Sequence, residues 1–251
     1  MDDSAAPGIG KRLDGWANRD LNPGAIIALS PALTAEQKAA YKSWGPGRYD
    51  PRFNMDGKSA PVLIPPAYGL RGAPHATYTG DGDIRYWNNY VAVTQMGGQG
   101  EFVEERLGIA RKLPPGTPDL VRPKLDALCD YQLSLAPPRP KAGSFDSAAA
   151  RRGQAVFEGA GKCGSCHEGA ARTEADLHAP QDTGVDPGHA MRSASKRYRA
   201  TPLRGLWQHP PYFHDGTAQT LTAVVDHYDR TLRLGLTPDR KSDLVEYLKS
   251  L

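Results

Sequence analysis

The chain has 251 residues, a net charge of +3, 39% hydrophobic and 24% charged residues, a balance that supports a packed core and excludes general disorder. The charge is too small and the basic residues too scattered to indicate nucleic acid, and no RNA- or DNA-binding motif is present. No apolar run approaches the roughly 20 residues of a membrane-spanning helix, and 22 prolines with 27 glycines predict long connections rather than an extended sheet.

The length suits two domains. In the first part, Thr34 and Gln37 form a capping box for a helix running through Tyr41 and Trp44. Residues 45–90, rich in Gly, Pro and Tyr, read as loop. A further helix is expected from about Pro123 to Leu135, with Leu125, Leu128 and Leu135 turned inward. Cys129 sits on that helix as a buried, inert thiol. The Pro-rich segment 136–144 reads as a stiff, exposed linker. It separates 1–135 from 145–251, and a modest apolar interface is expected to hold the two parts together.

The second part opens with a helix over Ala148–Phe157, capped by Asp146 or Ser144. Residues 168–200 form a long polar stretch with little periodicity. A helix then starts near Thr220, with Leu221, Val224, Val225, Tyr228 and Leu232 on one stripe. The last helix has Thr237 as its cap and Pro238 at its first position, and buries Leu244, Tyr247, Leu248 and Leu251.

Between the first two of these helices stands Cys163-Gly164-Ser165-Cys166-His167. This Cys-x-x-Cys-His spacing is the c-type haem attachment sequence. Two thiols separated by a tight turn reach two vinyl groups on one porphyrin edge, and the next residue offers an imidazole to the iron. The alternatives are a redox dithiol, which lacks the expected strand–helix unit, and half of a zinc site. A zinc site requires further thiol or imidazole ligands at short spacing, and the remaining cysteine, Cys129, lies in the other part. The expected cofactor is one covalent haem c per chain, and the fold class is mostly α, with a cytochrome c fold in the C-terminal part. Met1-Asp2-Asp3-Ser4-Ala5-Ala6-Pro7 has no basic start and no apolar stretch. Since such haem is attached outside the cytoplasm, the expectation is that the sequence is an incomplete or processed form of a periplasmic protein.

The run Thr201-Pro202-Leu203-Arg204-Gly205-Leu206-Trp207-Gln208-His209-Pro210-Pro211-Tyr212-Phe213-His214-Asp215-Gly216, followed by Thr220-Leu221 and Val224-Val225, resembles the C-terminal haem domain of bacterial dihaem cytochrome c peroxidases and MauG enzymes. The resemblance covers about 148–251. It is weaker over 1–135, where Tyr86-Trp87-Asn88-Asn89-Tyr90 through Gln95-Met96-Gly97-Gly98 is similar to larger dihaem members. It implies two cytochrome domains with a haem each. This chain departs from that pattern in having one Cys-x-x-Cys-His, so the N-terminal part is cytochrome-like without an attachment motif. The resemblance also implies that the two terminal helices of the haem domain cross, with Gly153 permitting close approach to Tyr247.

In that family the second axial ligand follows His-Asp-Gly within the next helix, as Met in peroxidases and Tyr in MauG types. Counting along the motif reaches Tyr228, which also lies one heptad after Leu221, whereas His227 is rotated about 100° away. The candidates after the motif are His178, His189, Met191, His209, His214, His227 and Tyr228; the alternatives to Tyr228 as ligand are that it is a core residue or that Met191, the rival, is the ligand. Arg204 is a candidate for a haem propionate, because a guanidinium fork matches a carboxylate, or is a solvated arginine. His214 is a candidate for ordering the haem pocket. Trp207 is read as a packing residue first and an electron relay second. Met96 is read as a buried Met, or as a ligand of a lost haem. The expected function is electron transfer with a redox partner such as a small cytochrome or cupredoxin. The rival is a peroxidase or related oxidoreductase whose first haem lies elsewhere, and a haem-based sensor is a third reading.

Overall fold

The computed structural model describes residues 15–50, 52 and 57–251. Among the described residues the chain is mostly helical, with three short antiparallel two-stranded ladders. The N-terminal part contains α1 (Pro23–Ile27), α2 (Ala35–Lys42), α3 (Ile84–Tyr90) and α4 (Leu125–Ser134). The strands β1 (Arg48–Tyr49) and β2 (Val62–Leu63) pair, as do β3 (Phe102–Glu104) and β4 (Ile109–Arg111). The C-terminal part contains α5 (Ser147–Glu158), α6 (Pro180–Thr183), α7 (Leu221–Leu232) and α8 (Pro238–Lys249), with β5 (Leu177–His178) paired to β6 (Tyr198–Arg199).

The helix starts follow from local side-chain chemistry. The Thr34–Gln37 capping box is formed in both directions. Asp146 accepts hydrogen bonds from the amides of Ala148 and Ala149 at the start of α5. Thr220 caps α7 and Thr237 caps α8, with Pro238 in the first turn. Each such cap is worth about 1 kcal/mol, because it satisfies an amide that has no partner inside the helix. Helix α3 is a correction to the loop expected over 45–90: Asp83 accepts from the amide of Tyr86 and starts it, and Tyr90 at its end is fully buried. The stripe predictions need two corrections. Leu128 is 42% exposed, beside the buried Cys129, and Leu232 is 40% exposed, in the exposed last turn of its helix.

The C-terminal core collects Phe157, Leu206, Leu221, Val225, Leu244, Tyr247 and Leu248. Its centre is the crossing of α5 on α8. A Cβ at Gly153 would run into the backbone carbonyl of Asp243 and come within 2.9 Å of the Tyr247 Cβ, so the absence of a side chain sets how near the two helices come. Arg152 reinforces the crossing through a bidentate pair to Asp243, at 2.6 and 2.8 Å. The N-terminal part has two smaller clusters, one around Tyr90, Val93, Phe102 and Ile109 and one around Tyr41 and Trp44.

Polar contacts join the two parts. Arg192 Nη1 lies 2.7 Å from Asp50 Oδ2, with both side chains buried. The Leu63 amide donates to the His214 carbonyl at 2.7 Å, and the Arg199 amide to the Tyr78 carbonyl at 2.8 Å. Removing one partner of a buried pair such as Arg192–Asp50 costs about 3–5 kcal/mol, since the other charge is left uncompensated.

Two predictions follow from this packing. Gly153→Ala lowers stability by about 1–3 kcal/mol, the usual cost of overpacking, measured as a reduced urea midpoint of the holo-protein. An unchanged midpoint removes Gly153 from its role at the crossing. The second concerns acid. Burial lowers the pKa of His209 and of His189 to about 4 each, against about 6.5 for an unperturbed imidazole. The unfolded chain therefore takes up these protons first. Their contribution to stability is complete above about pH 6.5 and is lost as the pH falls through about 4. Urea midpoints across that window decline, and His209→Gln reduces the slope.

Candidate haem-attachment site

Helix α5 ends at Gly159, and the Gly161 amide folds back to the Val156 carbonyl at 2.7 Å. Lys162 then takes a left-handed conformation, φ 54°, and delivers the chain into a single 3-10 turn over Cys163–Ser165. The amides of Cys166 and His167 both donate to the Cys163 carbonyl, at 3.3 and 2.9 Å. The turn is what places two thiols and an imidazole at one end of α5. Cys163 packs against the C-terminal core, and neither it nor Cys166 is in a disulfide. Burial, and then the neighbouring Cys166, push the Cys163 thiol up to about 11, and burial raises Cys166 as well.

The His167 ring tests whether this residue set suits a haem. Its Nδ1 lies 3.0 Å from the backbone carbonyl of Arg172. A carbonyl can only accept, so Nδ1 carries the proton and Nε2 keeps its lone pair for a metal. Burial lowers the His167 pKa, which favours the neutral, ligating form. Arg172 holds its own position unusually: its φ is 51°. Its guanidinium donates to the Tyr247 hydroxyl at 2.6 Å and lies over the rings of Phe157 and Tyr247 at 5.5 and 5.8 Å. Phe157 also flanks the His167 ring, at 6.5 Å between centroids. The donor set fits a c-type haem: two thiols, and an imidazole oriented by a backbone carbonyl.

Tyr228 stands on α7. Its phenol is raised to about 12 by burial and then by the Cys163 and Cys166 thiols. Phe213 and His227 meet its ring edge-on at 5.9 and 5.2 Å. His227 is turned elsewhere, with Nε2 2.8 Å from the Thr183 carbonyl.

The remaining candidates are spread more widely. Arg204 is exposed, and its Nε donates to the carbonyl of Ala170, three residues after His167. His214 is buried, with Nε2 3.0 Å from the Tyr198 hydroxyl and its ring stacked on Tyr198. Met191 is 55% exposed, and Met96, expected to be buried, is 78% exposed; Met96 follows the turn Val91–Gln95 at the protein surface. The indole nitrogen of Trp207 is buried without a partner.

Two residues near the motif, Arg172 and Glu174, escaped the sequence reading. Arg172 has no motif signal, since its function lies in a backbone carbonyl. Glu174 and His178 gather beside Cys166, with their ligand atoms and Sγ within 4.8 Å of one another. His178 Nε2 lies 2.8 Å from Glu174 Oε1. Three donors fall one short of the closed tetrahedral set of a structural zinc site, and haem attachment would take the sulfur.

This fold and donor set fit a cytochrome c-like domain. Residues 197–233 match the RoxA-like, cytochrome c-like family model, a span that holds Arg204, His214 and Tyr228. The methylamine utilization protein MauG of Methylorubrum extorquens is 32% identical, over 41% of this chain and 34% of its own length; the chain thus spans about a third of that relative. Among solved structures, hydrazine synthase of Kuenenia stuttgartiensis aligns over 98% of both chains with a TM-score of 0.50 at 18% identity, which shows a shared fold. A MauG-like protein associated with microbial copper homeostasis aligns over 51% of this chain and 52% of its own, with a TM-score of 0.42 and 19% identity. The protein is a haem-containing redox protein related to MauG and the cytochrome c peroxidases.

The attachment chemistry gives a direct expectation. The native chain yields one covalent haem by pyridine haemochrome assay, and Cys163→Ala with Cys166→Ala yields none, by mass and by haem staining after denaturation. Covalent haem surviving in the double variant overturns the assignment.

Proposed function

We propose that the chain is an electron-transfer c-type cytochrome, with Cys163 and Cys166 holding the haem, His167 as the proximal iron ligand and Tyr228 as the distal ligand. The observation that carries this reading is the oriented imidazole beside the two thiols: Nδ1 of His167 faces the Arg172 carbonyl at 3.0 Å. The burial and the thiols that raise the Tyr228 phenol support it as the second ligand. When bound, the haem supplies a one-electron couple. The chain's residues set its position and its potential. The carbonyl of Arg172 keeps the imidazole in the ligating tautomer. Phe157 and Tyr247 exclude water on that side, both being buried. Arg204 and His214 serve as second-layer groups, Arg204 toward a propionate and His214 by ordering the Tyr212–Gly216 turn.

His167 and Tyr228 would hold the iron between them, and a haem held by two protein ligands would supply electron transfer rather than chemistry on a bound substrate. The partner is a small redox protein, a cytochrome or a cupredoxin, and the location is the periplasm. No helix among the described residues is long and apolar enough to cross a membrane. The likeness to MauG supports a second reading, in which this chain is part of a peroxidase or related oxidoreductase whose first haem lies on other sequence. Peroxide turnover by the one-haem protein would favour that reading.

Tyr228 provides the test. A phenolate is a hard anionic donor that stabilises Fe(III) and lowers the potential relative to Met ligation. Tyr228→Phe therefore changes the ferric absorption spectrum and raises the midpoint potential, with haem still attached. An unchanged spectrum and potential make Tyr228 a core residue and move attention to Met191.

A further inference from the structure

Seven buried side-chain polar atoms among the described residues have no hydrogen-bond partner. Three of them, Arg52 Nη1, Thr77 Oγ1 and His189 Nδ1, belong to residues lining one cavity of about 110 Å³. The cavity lies where the N-terminal part meets the 189–193 segment of the C-terminal part, apart from the cysteine motif. Nearly all buried polar groups in folded proteins are satisfied, so three orphans around one void mark a place for a molecule that accepts hydrogen bonds.

The walls define its class. Leu63, Ile64 and Trp87 line the cavity and suit a hydrocarbon body. Arg52 is 5% exposed. It uses Nη2 on Asp81 and on the Tyr86 hydroxyl, both at 3.1 Å, and its guanidinium lies 4.6 Å over the Trp87 ring. Its Nη1 is therefore a fixed, cationic donor, and cannot accept. Thr77 adds a hydroxyl. His189 is neutral, lowered to about 4 by burial and then by His214 and Arg192, and offers a third polar atom. A 110 Å³ space is somewhat smaller than the ~150 Å³ cavity that admits benzene, which limits the occupant to a few heavy atoms. Polyvalent anions do not suit it, because Asp81 and Asp50 stand beside Arg52 and Arg192.

We propose that this cavity binds a short-chain monocarboxylate, its carboxylate facing Arg52 and Thr77 and its methylenes lying against Leu63, Ile64 and Trp87. His189 stacks on His214 at 6.3 Å between ring centroids, so an occupant touches the residue next to the His214–Tyr198 pair.

Isothermal titration of the holo-protein with propionate and butyrate tests this, with propionamide as the uncharged control at matched ionic strength. The expected result is saturable binding at one site per chain, with the amide about tenfold weaker or worse, since hydrogen bonds to a charged group are the stronger ones. Thr77→Val keeps the shape and removes the hydroxyl, and weakens the acids about tenfold; Arg52→Gln abolishes binding. If Arg52→Gln lowers the melting temperature, Thr77→Val alone decides. Absence of saturable heat from both acids, equal affinity for acid and amide, or native affinity in Thr77→Val overturns the proposal and leaves a cavity that holds water only.

Discussion

The approach of α5 to α8 at Gly153 determines the geometry of the haem motif. Because no Cβ stands between Gly153 and the Asp243 carbonyl, Phe157 and Tyr247 meet edge to face at 5.1 Å. Those two rings and the Tyr247 hydroxyl hold the Arg172 guanidinium. Arg172 in turn presents the carbonyl that fixes the His167 tautomer. A helix–helix contact is thus connected through one arginine to the His167 ring.

The site draws its second wall from a different part of the sequence. Helix α7 carries Tyr228, whose phenol is raised by burial and by the thiols, while its neighbour His227 is held by α6. The segment before α7 returns to the N-terminal part through Leu63 and His214. The region that matches the RoxA-like model therefore has two faces: one toward the cysteine motif, the other toward the N-terminal part. The seam on that second face combines a buried ion pair with backbone hydrogen bonds. Such contacts define one docking geometry more sharply than an apolar surface does, because a displaced polar group is left unsatisfied.

Much of this was legible in the sequence because it depends on neighbours in the chain. The caps at Thr34, Asp146, Thr220 and Thr237 need only a side-chain oxygen and the next turn of backbone. The Cys163–His167 spacing states its chemistry within five residues. The start of α7 at Thr220 and its buried Leu221 and Val225 were legible because a helical stripe is periodic. The short helix Ile84–Tyr90 was hidden by the glycines before it, although Asp83 was available as its cap.

What the sequence determined by itself was the mostly α class, the haem attachment motif and the faces of the long helices, all consequences of periodicity and local hydrogen bonding. Tertiary structure alone decided which carbonyl orients His167, which side chains collect beside Cys166, that Met96 and Leu128 lie at the surface, and that Arg52, Thr77 and His189 border one cavity. These are distant in the chain: Thr77 and His189 are brought together from opposite parts. A backbone carbonyl carries no residue identity, and burial depends on what arrives from elsewhere to cover a face; neither leaves a mark on the local sequence.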